Sequence, residues 1–96
     1  MKILAFEVEK PGLNAADFAP HLIDEARRAW ELHQAGVIRE LYFRADQHTA
    51  VLVLECPSLE DAQAALNTLP LVEHGLITFD LVPLIPYDGF ARLFAE

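Results

Sequence analysis

Apolar residues recur along this chain at two spacings, and the switches between them outline four strands and two helices. Leu4, Phe6 and Val8 fall on alternate positions of residues 2–8, the period of a strand with one face turned to a core. Pro11, Gly12 and Asn14 break that pattern. From about Pro20 to Ala35 the period lengthens, and Leu22, Ala26, Ala29, Trp30 and His33 form one helical stripe. Asp24, Arg27, Arg28, Glu31 and Gln34 occupy its wet side, Pro20 suits the first turn, and Gly36 stands where a left-handed C-cap is wanted.

Strand spacing then returns twice, over Val37–Ala45 and Thr49–Cys56, with Asp46, Gln47 and His48 as the turn of a hairpin. Pro57 ends the second of these strands. Ser58, followed by Glu60 and Asp61, opens a second helix that buries Leu59, Ala62, Ala65, Leu66 and Leu69 and stops before Pro70. A fourth strand runs from Leu76 to Leu84, and Pro83 and Pro86 place its end at a sheet edge. The order β-α-β-β-α-β predicts a single α+β domain over residues 1–96: a ferredoxin-like, antiparallel four-stranded sheet with both helices on one face.

The hairpin strands add a constraint. Ala50, Leu52, Leu54 and Cys56 point one way, and Val51 and Val53 point the other, so both faces are apolar and both call for cover. With helices on one face, a second copy of the sheet is the simplest cover for the other, which predicts a homodimer or higher oligomer. Phe90, Leu93 and Phe94 near the end of the chain suggest a further docking surface, unless that segment folds back on its own subunit.

A three-residue turn at 46–48 would set Ala45 opposite Thr49, Leu41 opposite Val53 and Arg39 opposite Glu55. Opposite charges across a strand pair contribute roughly 0.2–1 kcal/mol. Arg39, Leu41, Phe43, Val51, Val53 and Glu55 would then share one face, and Glu40, Tyr42, Arg44, Ala50, Leu52, Leu54 and Cys56 the other. Either set could line a mostly apolar pocket carrying a few polar groups. Arg39 with Glu55 reads either as a structural ion pair or as an anion anchor beside a carboxylate base. Glu40, Tyr42 and Arg44 read as solvated or interface side chains or as pocket groups, and His33 as a satisfied histidine on the helix stripe or a pocket group. His21, His48 and His74 read as surface residues.

Composition narrows the partners. The net charge of −8 argues against nucleic-acid binding, which needs phosphates neutralised, and against anionic membranes. No apolar run approaches the ~20 residues of a membrane span. Residues 1–9, with Glu7 and Glu9, make no signal peptide. Cys56, the single cysteine, forms no intrachain disulfide and fits a reducing compartment, so a cytoplasmic location is expected. It sits in an apolar strand, a setting for an inert thiol. The four histidines lack zinc spacing, and no phosphate loop or nucleophile elbow is present.

The run Gly36-Val37-Ile38-Arg39-Glu40-Leu41-Tyr42, the helix-opening Pro57-Ser58 and the helix-closing Leu69-Pro70-Leu71 together resemble the muconolactone isomerase family. The likeness is continuous from Gly36 to Leu71 and weakens before residue 22 and in the tail. It implies a dimeric α+β barrel, no metal or organic cofactor, and a double-bond shift in a small carboxylated lactone. Such a shift takes a proton from a carbon next to a carbonyl and returns it elsewhere. The resemblance implies Arg39 as substrate anchor and Glu55 as base, with Tyr42 in the pocket wall. A carboxylate beside an arginine has a lowered pKa, which works against Glu55 as a base near neutral pH. The other reading is a non-catalytic, oligomeric small-molecule-binding or assembly module.

Overall fold

The computed structural model describes residues 1–95. It contains strands β1 (Lys2–Glu9), β2 (Ile38–Phe43), β3 (Ala50–Glu55) and β4 (Ile77–Leu84). The helices are α1 (Ala15–Phe18), α2 (Leu22–Gln34), α3 (Leu59–Leu66) and α4 (Pro70–Glu73). The strands form one antiparallel sheet of order β2-β3-β1-β4. Ile3 and Ala5 of β1, Ile38 of β2, Leu52 and Leu54 of β3, and Ile77 and Phe79 of β4 pack beneath Leu32 of α2, Ala62 and Leu66 of α3 and Leu71 of α4. The α+β architecture predicted from periodicity is therefore the one observed.

Both helical crossovers end in the same way. At Gly36 (φ +79°) the Val37 N–H reaches back to the Leu32 carbonyl at 3.0 Å, and at Gly75 (φ +72°) the Leu76 N–H reaches the Leu71 carbonyl at 2.9 Å. These Schellman closures need a left-handed residue after the helix, and glycine adopts that conformation without strain. Each closure turns the chain straight into a strand. Ser58 caps α3 through the Asp61 N–H at 3.1 Å. Pro83 lies in β4, an edge strand, where its missing N–H breaks no ladder.

Three expectations change. The hairpin loop has four residues, Ala45–His48, closed by Arg44 N–H to Thr49 O at 2.8 Å, with His48 at φ +51°. Leu41 therefore pairs with Leu52, Tyr42 with Val51, and Phe43 with Ala50. The ladder regains its first pair, Ile38 with Leu54, through a β-bulge that leaves Arg39 without a partner. Arg39 is not opposite Glu55: its Nε donates to the Gly36 carbonyl at 2.6 Å instead. The helical region before β2 starts as α1, capped by Asn14, followed by a 3₁₀ turn at Ala19–His21 that holds Pro20, so α2 begins at Leu22. A short α4 opens on Pro70, where the sequence pattern had placed only a stop.

The buried stripe of α2 is also displaced. Leu32 and Ala29 face the core, whereas Leu22 and Trp30 are more than half exposed. Apolar residues occur on both sides of this helix, and the core takes the narrower set.

Leu54→Ala is expected to cost about 2–5 kcal/mol in urea unfolding, because Leu54 is fully buried in the centre of the sheet. Gly75→Ala is expected to cost about 1–2 kcal/mol through the backbone alone, since nothing lies within 4 Å of an added Cβ. An unchanged midpoint for either variant would contradict this packing.

Candidate active site at the parting of β1 and β3

The sheet has one face covered by helices and one open. On the open face stand Leu4, Phe6 and Val8 of β1, Val51, Val53 and Glu55 of β3, Glu40 and Tyr42 of β2, and Thr78, Asp80 and Val82 of β4. Pairing between β1 and β3 ends at Phe6 with Val51, while β1 runs on to Glu9 along β4. A notch opens where the two central strands part. Phe6, Glu7, Val8, Glu9, Arg44, Gln47, Thr49 and Asp80 line a pocket there of about 510 Å³.

Glu7 is the chemical centre of that notch. It follows Ile3 and Ala5 on the helix-facing side of β1, at a position where alternation calls for an apolar residue. Its Oε1 accepts from the Ala50 N–H at 2.8 Å, so a carboxylate stands where a strand carbonyl would have been. Burial raises its pKa above the usual 4.5; the Ala50 hydrogen bond and the nearby His48 pull it down, and Glu9 pushes it up. Glu25 of α2 is similarly placed. It is half-buried, accepts from the Leu71 N–H at 2.9 Å at the start of α4, and has a pKa raised first by desolvation and further by the charge of Glu7. Of the two, Glu7 alone lines the pocket, and a carboxylate with a displaced pKa in a cleft is a recurrent mark of acid–base sites.

Arg44 enters the pocket from the end of β2. Both Asp46 oxygens hold its guanidinium, at 2.9 and 2.6 Å from Nε and Nη2, and the pair keeps Asp46 below the usual carboxylate range. His48, expected as a plain surface residue, stacks on Phe43 with ring centroids 4.2 Å apart and lies close enough to act on Glu7. The hairpin loop thus brings a cation, an imidazole and an amide to the carboxylate of β1.

The other sequence candidates lie apart from this pocket. Glu55 sits at the far end of β3, 3.6 Å from the N-terminal ammonium. Glu40 accepts a hydrogen bond from the Tyr42 hydroxyl at 2.5 Å on the open face, which raises the Tyr42 pKa. His33 holds its Nδ1 2.8 Å from the Ile38 carbonyl and so donates there. His21 stacks on His74 at 4.3 Å. Cys56 is buried, and burial pushes its thiol up. Among the described residues, no group of three or more His, Cys, Asp or Glu side chains is placed to hold a metal ion. No helix among them is long and apolar enough to cross a membrane.

Comparison with solved structures fixes the architecture. Muconolactone isomerase superposes with a TM-score of 0.74 at 22% identity, over 92% of this chain and 92% of that one. The chain has the muconolactone isomerase fold. The 5-chloro-2-hydroxyhydroquinone dehydrochlorinase of Burkholderia phenoliruptrix, solved with 2,5-dihydroxybenzoquinone, also shares it, with a TM-score of 0.63, 14% identity and coverage of 93% and 98%. No family model matches the chain, and no curated protein matches it in sequence.

A pH dependence follows from Glu7 and Glu25. Because their folded pKa values lie above 4.5, the folded chain holds their protons more tightly than the unfolded chain. Their contribution to stability therefore falls as pH rises from 4.5 through the folded values, and it is recovered on acidification. Glu25→Gln keeps an acceptor for Leu71 N–H and removes the buried charge. Urea midpoints measured against pH should lose part of this fall in Glu25→Gln. Identical pH profiles for the variant and the parent chain would contradict it.

Proposed function

We propose that this chain carries out cofactor-independent proton transfer on a small oxygenated ring compound, an isomerisation of the lactone type being the reaction expected. The observation that carries this reading is Glu7, a half-buried carboxylate with a raised pKa that opens onto a 510 Å³ pocket. A base works best when its pKa approaches the working pH, and desolvation moves Glu7 in that direction. Glu7 would take a proton from a ring carbon beside a carbonyl. Arg44, Gln47 and Thr49 supply donors for the enolate oxygen, and Glu7 would return the proton at the other end of the conjugated system.

Shared fold supports the same reading. Two solved structures that have it are named for a lactone isomerase and for the dehydrochlorinase of a hydroxylated, chlorinated hydroquinone. The pocket walls refine the substrate. Glu7, Glu9 and Asp80 face it, and its one cation is already paired with Asp46, so a hydroxyl- or carbonyl-bearing ring is better matched than a free carboxylate. In this proposal Arg39 and Glu55 support the sheet end and do not act on substrate.

Self-association belongs to the proposal as well. Leu4, Phe6, Val51 and Val53 lie half-covered on the open face, and a second sheet laid across it would roof the pocket. The paired state of Arg44 favours one competing reading, a module that binds such a ring without transforming it.

Proton NMR of muconolactone, and of a hydroxylated hydroquinone, in deuterated water with the folded protein tests this reading. Ring-proton exchange or isomerisation is expected. It should drop ~100-fold or more in Glu7→Gln and stay within about three-fold in Arg39→Ala, because Arg39 lies outside the pocket. Exchange that survives Glu7→Gln would remove Glu7 from the chemistry. Saturable binding without exchange is the outcome the binding module predicts.

A further inference from the structure

The hairpin between β2 and β3 is held firmly for a surface loop. Its four residues, Ala45–His48, are closed by the Arg44 N–H on the Thr49 carbonyl at 2.8 Å and by the His48 N–H on the Arg44 carbonyl at 2.9 Å. His48 takes a left-handed conformation, φ +51°, which is disfavoured outside glycine. Its ring stacks on Phe43 with centroids 4.2 Å apart, which offsets that cost. The loop therefore has a fixed shape, and it carries Arg44 and Gln47 into the wall of the Glu7 pocket.

Both gripping edges of the Arg44 guanidinium are turned to this loop. A guanidinium holds a carboxylate best through two parallel N–H bonds, and it offers such a fork along Nε–Nη2 and along Nη1–Nη2. Asp46 fills the first: Oδ1 accepts from Nε at 2.9 Å and Oδ2 from Nη2 at 2.6 Å. The amide oxygen of Gln47, in the orientation that satisfies both side chains, faces the second and accepts from Nη1 and, at 3.2 Å, from Nη2. Asp46 itself is not part of the pocket wall. It neutralises from behind a charge that the wall presents.

The rest of the wall makes that neutralisation matter. Glu7, Glu9 and Asp80 line the same pocket, and Arg44 is its one Lys or Arg. With Arg44 compensated, a ligand carboxylate meets three acids and no uncompensated cation. An uncharged hydroxyl or carbonyl oxygen meets the Thr49 hydroxyl and the outer N–H groups without that repulsion. The Arg44–Asp46 pair is also the part of the arrangement that one substitution undoes. Its side chains are 43% and 66% exposed, so it adds little to folding, and neither backbone bond that closes the loop involves the Asp46 side chain.

We propose that Asp46 sets the substrate class of this pocket: by holding Arg44 it makes the site select uncharged hydroxyl- or carbonyl-bearing rings, and loss of its charge turns the site toward ring carboxylates. Arg44 is on this account a carboxylate anchor that the chain's own loop already uses. Selectivity comes from what the site repels as much as from what it attracts, and here one loop residue controls both. The inference rests on the Glu7 pocket being the ligand site, and it holds whether the ring is transformed there or only bound.

4-Hydroxybenzamide and 4-hydroxybenzoate differ in charge and little in shape, so their affinities for the full chain, from NMR titration, isolate the effect of the carboxylate. The parent chain should bind the amide roughly five-fold or more tighter than the acid. In Asp46→Asn the acid should gain roughly five-fold, with the amide within about two-fold of its parent value. In Asp46→Asn/Arg44→Gln that gain should vanish. A gain that survives the loss of Arg44 reports only the lower negative charge of the chain and overturns the proposal. An acid-to-amide ratio unchanged in Asp46→Asn overturns it too, as does failure of both rings to bind the folded parent chain. Amide NMR spectra check each fold, and Asp46→Ser replaces Asp46→Asn should that variant not fold. Deuterium exchange of muconolactone, run alongside, separates the two readings. Exchange with an unchanged ratio removes the role of Asp46 and leaves the chemistry of Glu7; a shifted ratio without exchange does the reverse.

Discussion

The structure turns on one hydrogen bond, from the Ala50 N–H to the Glu7 carboxylate. At that point β1 stops pairing with β3, and a part-buried strand donor must find another acceptor or remain unsatisfied, at a cost of up to about 1–3 kcal/mol. The side chain of Glu7 supplies the acceptor. The result is a negative charge held half out of water, with its pKa raised by that burial and lowered in part by the bond itself. The notch, the pocket and the displaced acid all follow from this substitution of a side-chain oxygen for a backbone one.

Glu25 solves a similar problem at the start of α4. That helix opens on Pro70, and its Leu71 N–H lies where no earlier turn can receive it. A carboxylate from α2 accepts it, joining two helices that are far apart in sequence. The consequence is a second half-buried acid within electrostatic reach of Glu7.

Periodicity, turn residues and caps were enough to read the α+β class, the order of the main elements and the antiparallel sheet. The register of β2 was not readable. Ala45-Asp46-Gln47-His48 contains no glycine to announce a left-handed residue, and a three-residue turn offered an attractive Arg39–Glu55 pair. The chain instead places His48 at positive φ, tolerated by histidine more often than by most residues, and takes up the extra position as a bulge at Arg39. The outer apolar face of α2 misled the burial reading because Leu22, Ala26 and Trp30 form as good a stripe as the one that packs. Glu7 did leave a signal: it is in phase with Ile3 and Ala5, and a carboxylate on the buried phase of a strand needs a reason.

The account rests most heavily on Glu7 being held protonated more strongly than an exposed glutamate. Carbon-detected NMR titration of the side-chain carboxyls addresses this directly. The account predicts that Glu7 titrates above the usual 4.5, and that its midpoint rises in Ala50→Pro, which removes the N–H whose hydrogen bond lowers it. A Glu7 midpoint at or below 4.5 would contradict the half-buried acid on which the candidate site is built.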